Sequence, residues 1–349
     1  MSQQPSAPPS ELTVTIRDGL DPSAAWRGEW EALLQRSPHA TVFASRAWTV
    51  AWIHAYARAA PIRAVELRAG GRLVGALWLY RYDDPHHGRR WLTVGSGNSD
   101  RLDPLLDAAC EHDASKLLLD TLATTDDGIS VELQQVNATS VFARTAAQNE
   151  RCTLSAQETC LALDLTGVKS TDQILKRGMR YDLRRSRSRV QEHGGVIEEA
   201  APETTAGLMD ALVRLHTARW RSRGTSGVLA DEATRTLHYS VAQRLVNRGL
   251  VLRALQVDGV TIACVYGFRC NGVEMCYLNG FDPEWSWLQP GKLMLADSIE
   301  RAIAAGMHRF DMLRGHEDYK YRWPVVEEPC LRIRIGSNDE EAGCTLDHR

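Results

Sequence analysis

Residues 273–313 read VEMCYLNGFDPEWSWLQPGKLMLADSIERAIAAGMHRFDML, and this segment is the most informative about the architecture. It begins as a strand over 273–279 and passes through an irregular loop over 280–289. A helix then runs over 290–305, where Gly306 ends it, and a second strand follows over 308–313. A helix between two strands is typical of a parallel pair, so the stretch predicts one parallel step in a sheet.

Two hairpins lie directly before this stretch. Asp258-Gly259 and Asn271-Gly272 separate three apolar, strand-like segments, and both dipeptides supply the positive φ values that tight two-residue turns require. Two helices, over 206–221 and 231–248, come before the hairpins. The C-terminal half is therefore predicted to run through helices, an antiparallel meander, a loop, a helix and a strand.

The N-terminal half repeats this order. Its segment LRAGGRLVGALWLYR (67–81) aligns with LQVDGVTIACVYGFR (255–269), and Gly70-Gly71 supplies the turn. Two helices are expected first, one over 24–34 and a second that Ser45 caps. A strand over 91–94, a helix over 104–111, and strands over 116–120 and 129–134 follow.

We predict an α/β fold of the α+β mixed-sheet kind, built from a duplicated unit. The expected division is a disordered tail over 1–10, an N-terminal domain over 11–165, a C-terminal domain over 166–340 and a tail over 341–349.

The composition excludes several classes of protein. A net charge of −3 over 349 residues does not indicate a polycation that seeks nucleic acid or an anionic membrane surface. No apolar run approaches the roughly 18 residues that span a bilayer, and the first residues lack the pattern of a signal peptide. None of the eight cysteines forms a C-x-x-C pair, which favours free thiols in a reducing compartment. We therefore expect a cytoplasmic protein without a metal, and we interpret His86-His87 as part of a solvated loop.

The start of the helix at Pro290-Gly291 is a candidate anion site. Proline fits the first helical turn, where its missing N–H costs nothing, and glycine lets a ligand approach the backbone. The free N–H groups and the helix dipole suit a phosphate or pyrophosphate, and Lys292 adds a charge.

A second polar segment reads RFDMLRGHEDYKYRW over 309–323. Asp311 lies between apolar Phe310 and Met312 on a predicted strand, and a buried carboxylate needs partners. Either it forms a structural ion pair that holds the loop, or it is catalytic. The sequence leaves both interpretations open.

Together these residues resemble a known family. The matching positions are Arg177 to Arg185 in a basic helix, Trp220-Arg221, Tyr277, Gly280-Phe281-Asp282-Pro283-Glu284, Pro290-Gly291, Gly306, Phe310-Asp311, Gly315, Glu317, Tyr319-Lys320 and Trp323. Their spacing resembles the acyltransferases of the GCN5-related N-acetyltransferase (GNAT) fold that include CelD-like proteins of cellulose and exopolysaccharide loci. These proteins are relatives of the FemABX peptidyltransferases.

The resemblance implies a tandem GNAT-like fold and transfer of an acyl group from acetyl-CoA or another acyl-CoA to an amine. It places the CoA pyrophosphate at the helix start and pairs the end of the preceding strand with the pantetheine amides. The implied cofactor-binding residues are Leu278, Asn279, Gln289, Pro290, Gly291, Lys292 and Leu293.

The chemistry of acyl transfer sets the catalytic candidates. The attacking amine must lose a proton, and the departing thiolate gains from an acid. The candidate bases are Asp311, Glu274 and His316, the candidate acid is Tyr319, and Lys320 is a candidate anchor. The candidate substrate-binding residues are Asp282, Trp285, Arg314 and Arg180.

A basic helix over 175–190 leaves the choice of function open. Its seven basic residues oppose an apolar face, which is typical of a solvated surface but also suits CoA phosphates, an anionic carbohydrate or transfer RNA. The first hypothesis is an acyl-CoA-dependent N-acyltransferase that acts on a small-molecule amine, such as an amino sugar or a biosynthetic intermediate. The alternatives are a transfer RNA-dependent aminoacyl transferase and a non-catalytic protein that binds a metabolite or partner.

Overall fold

Antiparallel hairpins alternate with helices along the chain. The computed structural model describes residues 11–21, 23–84, 88–124 and 129–336. The strands are β1 (Leu12–Asp18), β2 (Ile62–Ala69), β3 (Arg72–Asp84), β4 (Gly88–Thr93), β5 (Leu105–Leu106), β6 (Ser130–Asn137), β7 (Cys152–Ala156), β8 (Cys160–Asp164), β9 (Val196–Glu199), β10 (Leu250–Val257), β11 (Val260–Cys270), β12 (Val273–Phe281), β13 (Arg309–Arg314), β14 (Val326–Glu328) and β15 (Cys330–Ile335). The helices are α1 (Ala24–Arg36), α2 (Arg46–Tyr56), α3 (Glu111–Ala123), α4 (Val141–Ala146), α5 (Arg177–Glu192), α6 (Thr205–Arg221), α7 (Glu232–Leu245) and α8 (Pro290–Ala304).

The three predicted hairpin turns are confirmed. Both residues of Gly70-Gly71, Asp258-Gly259 and Asn271-Gly272 have positive φ angles, between 47° and 82°. Two consecutive positive φ values match the twist of the flanking strands in a two-residue hairpin. The turns therefore fix the β2–β3, β10–β11 and β11–β12 pairs in antiparallel register.

Two sheets repeat one strand order in the described part of the chain. The first runs β1-β2-β3-β4-β6-β15-β7, and the second, taken in the matching direction, runs β9-β10-β11-β12-β13-β8-β14. Each contains one parallel pair, β4 with β6 and β12 with β13, and a helix links the two strands of each pair. The predicted mixed α/β fold with a duplicated unit is thus confirmed.

The two sheets exchange a strand. Residues 157–159 link β7, at the edge of the first sheet, to β8 in the second. Pro329 links β14, at the edge of the second sheet, to β15, which lies between β6 and β7 in the first. The sheets therefore do not divide at residue 165, because β8 precedes that point and β15 returns across it. The residue limits of the two domains stay a proposal, and the expected tails over 1–10 and 341–349 lie outside the described residues.

One expected pair of elements is wrong. Instead of a helix over 104–111 and a strand over 116–120, the chain forms the short strand β5, which pairs with β3, and then the helix α3. α3 buries Ala114, Leu118, Leu119 and Leu122 on one face. Their spacing of three and four residues is helical, and this period overrides the local run of three leucines.

The largest hydrophobic core crosses from one half of the chain to the other. Trp30 and Trp48 are fully buried, and the rings of Trp30 and Trp78 stack with centroids 3.7 Å apart. The same core contains Leu237 and Val241 of α7, which packs against α2. The two halves of the chain therefore share an interior.

Two buried histidines in the C-terminal half predict acid sensitivity. Burial lowers the pKa of His238 to about 3 and that of His216 to about 4. Because both pKa values lie below that of an unfolded histidine, the unfolded chain binds more protons below about pH 6.5, and stability is lost as the pH falls toward 3. We expect each histidine to remove about 2–3 kcal/mol from the free energy of unfolding between pH 6.5 and pH 4.5.

The variant His238→Phe should lessen this pH dependence, as urea unfolding at several pH values can measure. His193→Gln is the matched control, since His193 is exposed and contacts Asp258 at 3.3 Å. If the free energy of unfolding falls equally with pH in wild type and His238→Phe, the lowered pKa of His238 is contradicted.

Candidate functional site

The parallel pair β12–β13 separates before β12 ends. Pairing runs only from Val273 with Arg309 to Met275 with Asp311, while β12 continues to Phe281 against β11. Among the described residues, the β12 edge from Cys276 onward therefore has no strand partner on its β13 side. Gly280 lets helix α6 pass close by, because a Cβ atom there would lie 2.4 Å from the backbone nitrogen of His216.

A cavity of about 400 Å³ lies beside this separation. It is bounded by β12, the end of α6, the start of α8, and the 3₁₀ turn Lys320–Arg322 with its flanks. Its lining residues are Met179, Arg219, Arg223, Val265, Cys276, Asn279, Phe281, Ser286, Gln289, Pro290, Gly291, Lys292, Leu295, Tyr319, Arg322 and Trp323. Four of them are cations and none is a carboxylate, so the cavity suits an anionic ligand. We call it the α8 pocket.

The start of α8 contributes a narrow surface to the α8 pocket. Gln289 has φ 56° and caps the helix, and its carbonyl accepts hydrogen bonds from the N–H groups of Lys292 and Leu293, both at 3.1 Å. Pro290 has no N–H group. Within the described residues, the N–H group of Gly291 therefore has no backbone acceptor in this turn. A Cβ atom on Gly291 would lie 3.4 Å from Phe281, which is ordinary contact.

Five of the seven predicted cofactor-binding residues line the α8 pocket, namely Asn279, Gln289, Pro290, Gly291 and Lys292. Lys292 also contacts Asp182 of α5 at 3.3 Å. The other two lie behind the pocket. Leu293 is 7% exposed within the core under α8, and Leu278 packs against the large central core.

Of the predicted catalytic residues, Tyr319 alone lines the α8 pocket. Burial raises the pKa of its hydroxyl well above the usual value, so the group is protonated at neutral pH. Burial also raises the pKa of the neighbouring Cys276 thiol to about 11, which keeps that thiol un-ionised and a poor nucleophile.

The predicted base Asp311 lies in a buried ion pair instead. Its carboxylate accepts a hydrogen bond from Arg101 Nε at 2.6 Å and another from the Leu313 N–H at 2.8 Å. Arg101 also contacts Glu328 at 2.8 Å, so this pair joins the two halves of the chain. These contacts are those of a structural ion pair, which is one of the two interpretations of Asp311 that the sequence left open.

The remaining catalytic candidates also lie outside the α8 pocket. Glu274 is buried between Arg253 at 3.3 Å and Arg269 at 2.7 Å. His316 is exposed and contacts the Tyr321 hydroxyl at 2.6 Å. The Lys320 ammonium is buried and donates to the carbonyl of Arg314 at 2.6 Å, which fixes the loop rather than Asp311.

The predicted substrate-binding residues are not brought together. Arg314 contacts Asp100 of the N-terminal half at 2.8 Å, and Arg180 donates to the Asp172 carbonyl at 3.4 Å. Asp282 caps the 3₁₀ turn Pro283–Leu288, and Trp285 stacks on Trp287 with ring centroids 6.3 Å apart.

Sequence reasoning missed several residues of the α8 pocket, including three of its four cations, Arg219, Arg223 and Arg322, and Arg219 is the most buried of these three. It is 9% exposed and donates to the Asn279 side-chain oxygen. A signal for it was available, because Leu208, Leu212, Leu215 and Arg219 follow one another at four- and three-residue spacing. An arginine that continues the apolar stripe of a helix must be buried.

A larger cleft, of about 780 Å³, lies at the other end of β12. It is lined by the β11–β12 turn, α1, α2 and α7, and contains Arg46, Arg244 and Arg248. None of the predicted site residues reaches it, and it does not touch the start of α8. The α8 pocket is therefore the better candidate, although it is smaller.

Among the described residues, no group of three or more histidine, cysteine, aspartate or glutamate side chains could hold a metal ion. His86 and His87 lie outside those residues. No helix in the described ranges is long and apolar enough to cross a membrane.

Comparison with known proteins places this geometry in context. Residues 177–321 match the model of the acetyltransferase (GNAT) domain, a range that includes every residue lining the α8 pocket except Arg322 and Trp323. No curated protein matches the sequence. The CelD-like group within the GNAT proteins stays a prediction.

Solved structures share the fold at low sequence identity. FemX has a TM-score of 0.68 and 9% identity over 91% of this chain and 96% of that chain. A conserved protein of unknown function from Bacteroides thetaiotaomicron VPI-5482 has a TM-score of 0.63 and 12% identity over 93% and 99%. L-PGS from Bacillus licheniformis has a TM-score of 0.56 and 13% identity over 90% and 91%. This chain is thus a two-sheet, mixed α/β protein whose C-terminal half matches the GNAT acetyltransferase domain.

Proposed function

We propose that the protein is an acyl-CoA-dependent N-acyltransferase whose donor binds in the α8 pocket. The observation that carries the proposal is the cationic lining of this pocket at the point where β12 leaves β13, next to the start of α8. There the Gly291 N–H and Lys292 would bind the pyrophosphate, and the free edge of β12 at Asn279 would bind the pantetheine amides.

The proposed reaction is direct attack of an amine on the thioester carbon. Tyr319 would protonate the departing thiolate, because it is the predicted catalytic residue whose side chain lines the pocket. The donor would be acetyl-CoA or another acyl-CoA, and the acceptor a small-molecule amine. The N-terminal half would act as scaffold and as a wall of the acceptor cleft, in keeping with the ion pairs Arg101–Asp311 and Arg314–Asp100 that join it to the C-terminal half.

Binding of acetyl-CoA and desulfo-CoA, measured by calorimetry, tests the donor. We expect wild type to bind both, and Gly291→Asp to bind each at least about tenfold more weakly, since its carboxylate would compete with the pyrophosphate for the helix start. An acidic residue in a first helical turn does not harm the helix, so the variant should fold.

Gly291→Ala is the matched control, because its Cβ atom meets Phe281 at ordinary contact distance. It should bind like wild type. No binding of either compound to wild type at millimolar concentration would exclude acyl-CoA as the donor.

The basic helix α5 favours a second candidate, a transfer RNA-dependent aminoacyl transferase. Arg177, Arg184 and Arg185 are exposed, and α5 contributes Met179 to the α8 pocket. The arginines lie on the side of α5 away from Met179, so they form a separate basic surface beside the pocket, which a polyanion could contact. Binding of transfer RNA that weakens steeply with salt, together with no binding of CoA, would favour this candidate.

A further inference from the structure

Arg219 differs from the other deeply buried arginines of the described chain. Arg101 contacts Asp311 and Glu328, and Arg253 contacts Glu274 and Glu199. Arg219 has no carboxylate within 4.0 Å among the described residues, and its Nε atom is buried without an acceptor. Within this part of the structure, its charge is therefore not neutralised by the chain.

The surroundings of Arg219 do not replace the missing carboxylate. Its guanidinium carbon lies 5.2 Å from the centre of the Phe281 ring, and one terminal nitrogen donates to the neutral amide of Asn279. The charge of Glu317 reaches it, but Lys320 already contacts that carboxylate at 3.0 Å. Arg223, on the same pocket, adds a second positive charge.

Such a site is costly in the absence of a ligand. A guanidinium does not lose its proton at neutral pH, and a buried charge without a partner costs several kcal/mol. Burial lowers the pKa of Arg219 but does not neutralise it. A neutral carbonyl of a ligand would accept a hydrogen bond yet leave the charge uncompensated, whereas a carboxylate would do both.

We propose that Arg219 binds a carboxylate of the acceptor, so that the acceptor is an amine that also carries a carboxylate, as an amino acid does. This inference rests on the proposed function, in which the donor phosphates lie at the start of α8. Arg219 comes from α6, and Asn279 links it to the separation of β12 from β13, where Tyr319 also faces the pocket. The acceptor carboxylate would thereby hold the amine beside the thioester.

In the resulting step, the amine nitrogen forms a bond to the acyl carbon and the carbon–sulfur bond breaks. The thiolate takes the Tyr319 hydroxyl proton, and the proton that the amine loses restores the tyrosine. Before attack, the acceptor ammonium releases one proton to solvent. The products are therefore an N-acyl amino acid, free CoA thiol and that proton, so atoms and charges balance without a further reactant.

The first experiment compares thermal unfolding of Arg219→Met with wild type. An uncompensated charge destabilises the free protein, so its removal should leave Tm unchanged or raise it, as at other sites where function opposes stability. Arg223→Met is the matched control, because Arg223 is exposed on the same pocket. A fall in Tm of more than about 4 °C for Arg219→Met alone would give Arg219 a structural role and overturn the proposal.

The second experiment compares acids with matching amides. Glycine, L-alanine, L-serine, L-glutamate and L-lysine, and the α-carboxamide of each, are titrated by calorimetry into wild type, Arg219→Lys and Arg219→Met, with and without desulfo-CoA. At least one acid should bind wild type about tenfold or more tighter than its amide, as expected for a charged hydrogen bond. The difference should shrink in Arg219→Lys and vanish in Arg219→Met.

Equal binding of every acid and its amide, or no binding of any acid, would overturn the proposal. The desulfo-CoA titration separates this failure from failure of the proposed function. Acids that bind through Arg219 while CoA does not bind would leave the carboxylate site standing and exclude the donor. CoA that binds while acids and amides behave alike would support acyl-CoA as the donor and overturn the carboxylate site.

Discussion

Replacing Tyr319 with phenylalanine is expected to lower kcat for acyl transfer about a hundredfold, the usual contribution of a positioned acid. The substitution removes one hydroxyl from the α8 pocket and keeps the ring, so the affinity for acetyl-CoA should not change. Release of CoA thiol, followed with a thiol reagent, gives the rate, and calorimetry gives the affinity.

Tyr321→Phe is the control for Tyr319→Phe. Its hydroxyl contacts His316 and Glu327 and does not line the pocket, so its loss should leave the rate unaltered. An unchanged rate in Tyr319→Phe would remove the proposed acid.

Replacing Asp311 with asparagine is expected to cost about 3–5 kcal/mol in the free energy of unfolding, because Arg101 and Arg309 would then share the single carboxylate of Glu328, which leaves one positive charge uncompensated. Arg101 would keep Glu328 but lose the carboxylate at 2.6 Å. Urea unfolding measures the loss. The double variant Arg101→Met with Asp311→Leu should recover part of it, since an apolar pair leaves no uncompensated charge.

The same Asp311→Asn variant separates the two interpretations that the sequence left open. At a temperature where it stays folded, we expect less than about a tenfold loss in kcat/KM, which is below the usual contribution of a general base. A larger loss in folded protein would return Asp311 to the catalytic residues.

The sequence was most informative where backbone conformation depends on particular residues. Asp258-Gly259 and Asn271-Gly272 predicted their hairpins because few residues other than glycine and asparagine adopt left-handed φ values easily. Pro290-Gly291 predicted the start of α8 because proline, which has no N–H group, fits the first turn of a helix. From these turns the meander, the parallel step and the position of the pocket could be predicted.

Tertiary partners could not be predicted in the same way. A short apolar run such as 331–335 indicates a strand, but its pattern does not say that it joins β6 and β7 across the chain. Asp311 presented the same difficulty, because its partner Arg101 is 210 residues away. Local sequence indicates a strand or marks a carboxylate as buried. Residues far away in the chain decide which sheet the strand joins and whether the carboxylate is structural or functional.

The exchanged strand has a consequence for the order in which the protein is made. The gap between β6 and β7 in the first sheet is filled by β15, which leaves the ribosome some 180 residues after β7. At ordinary rates of translation this delay is roughly 10–40 s. Throughout that time the apolar side chains of β6 lack their neighbour, and the N-terminal half cannot complete its fold. The nascent chain must therefore keep an open strand edge from pairing with other chains until β15 emerges.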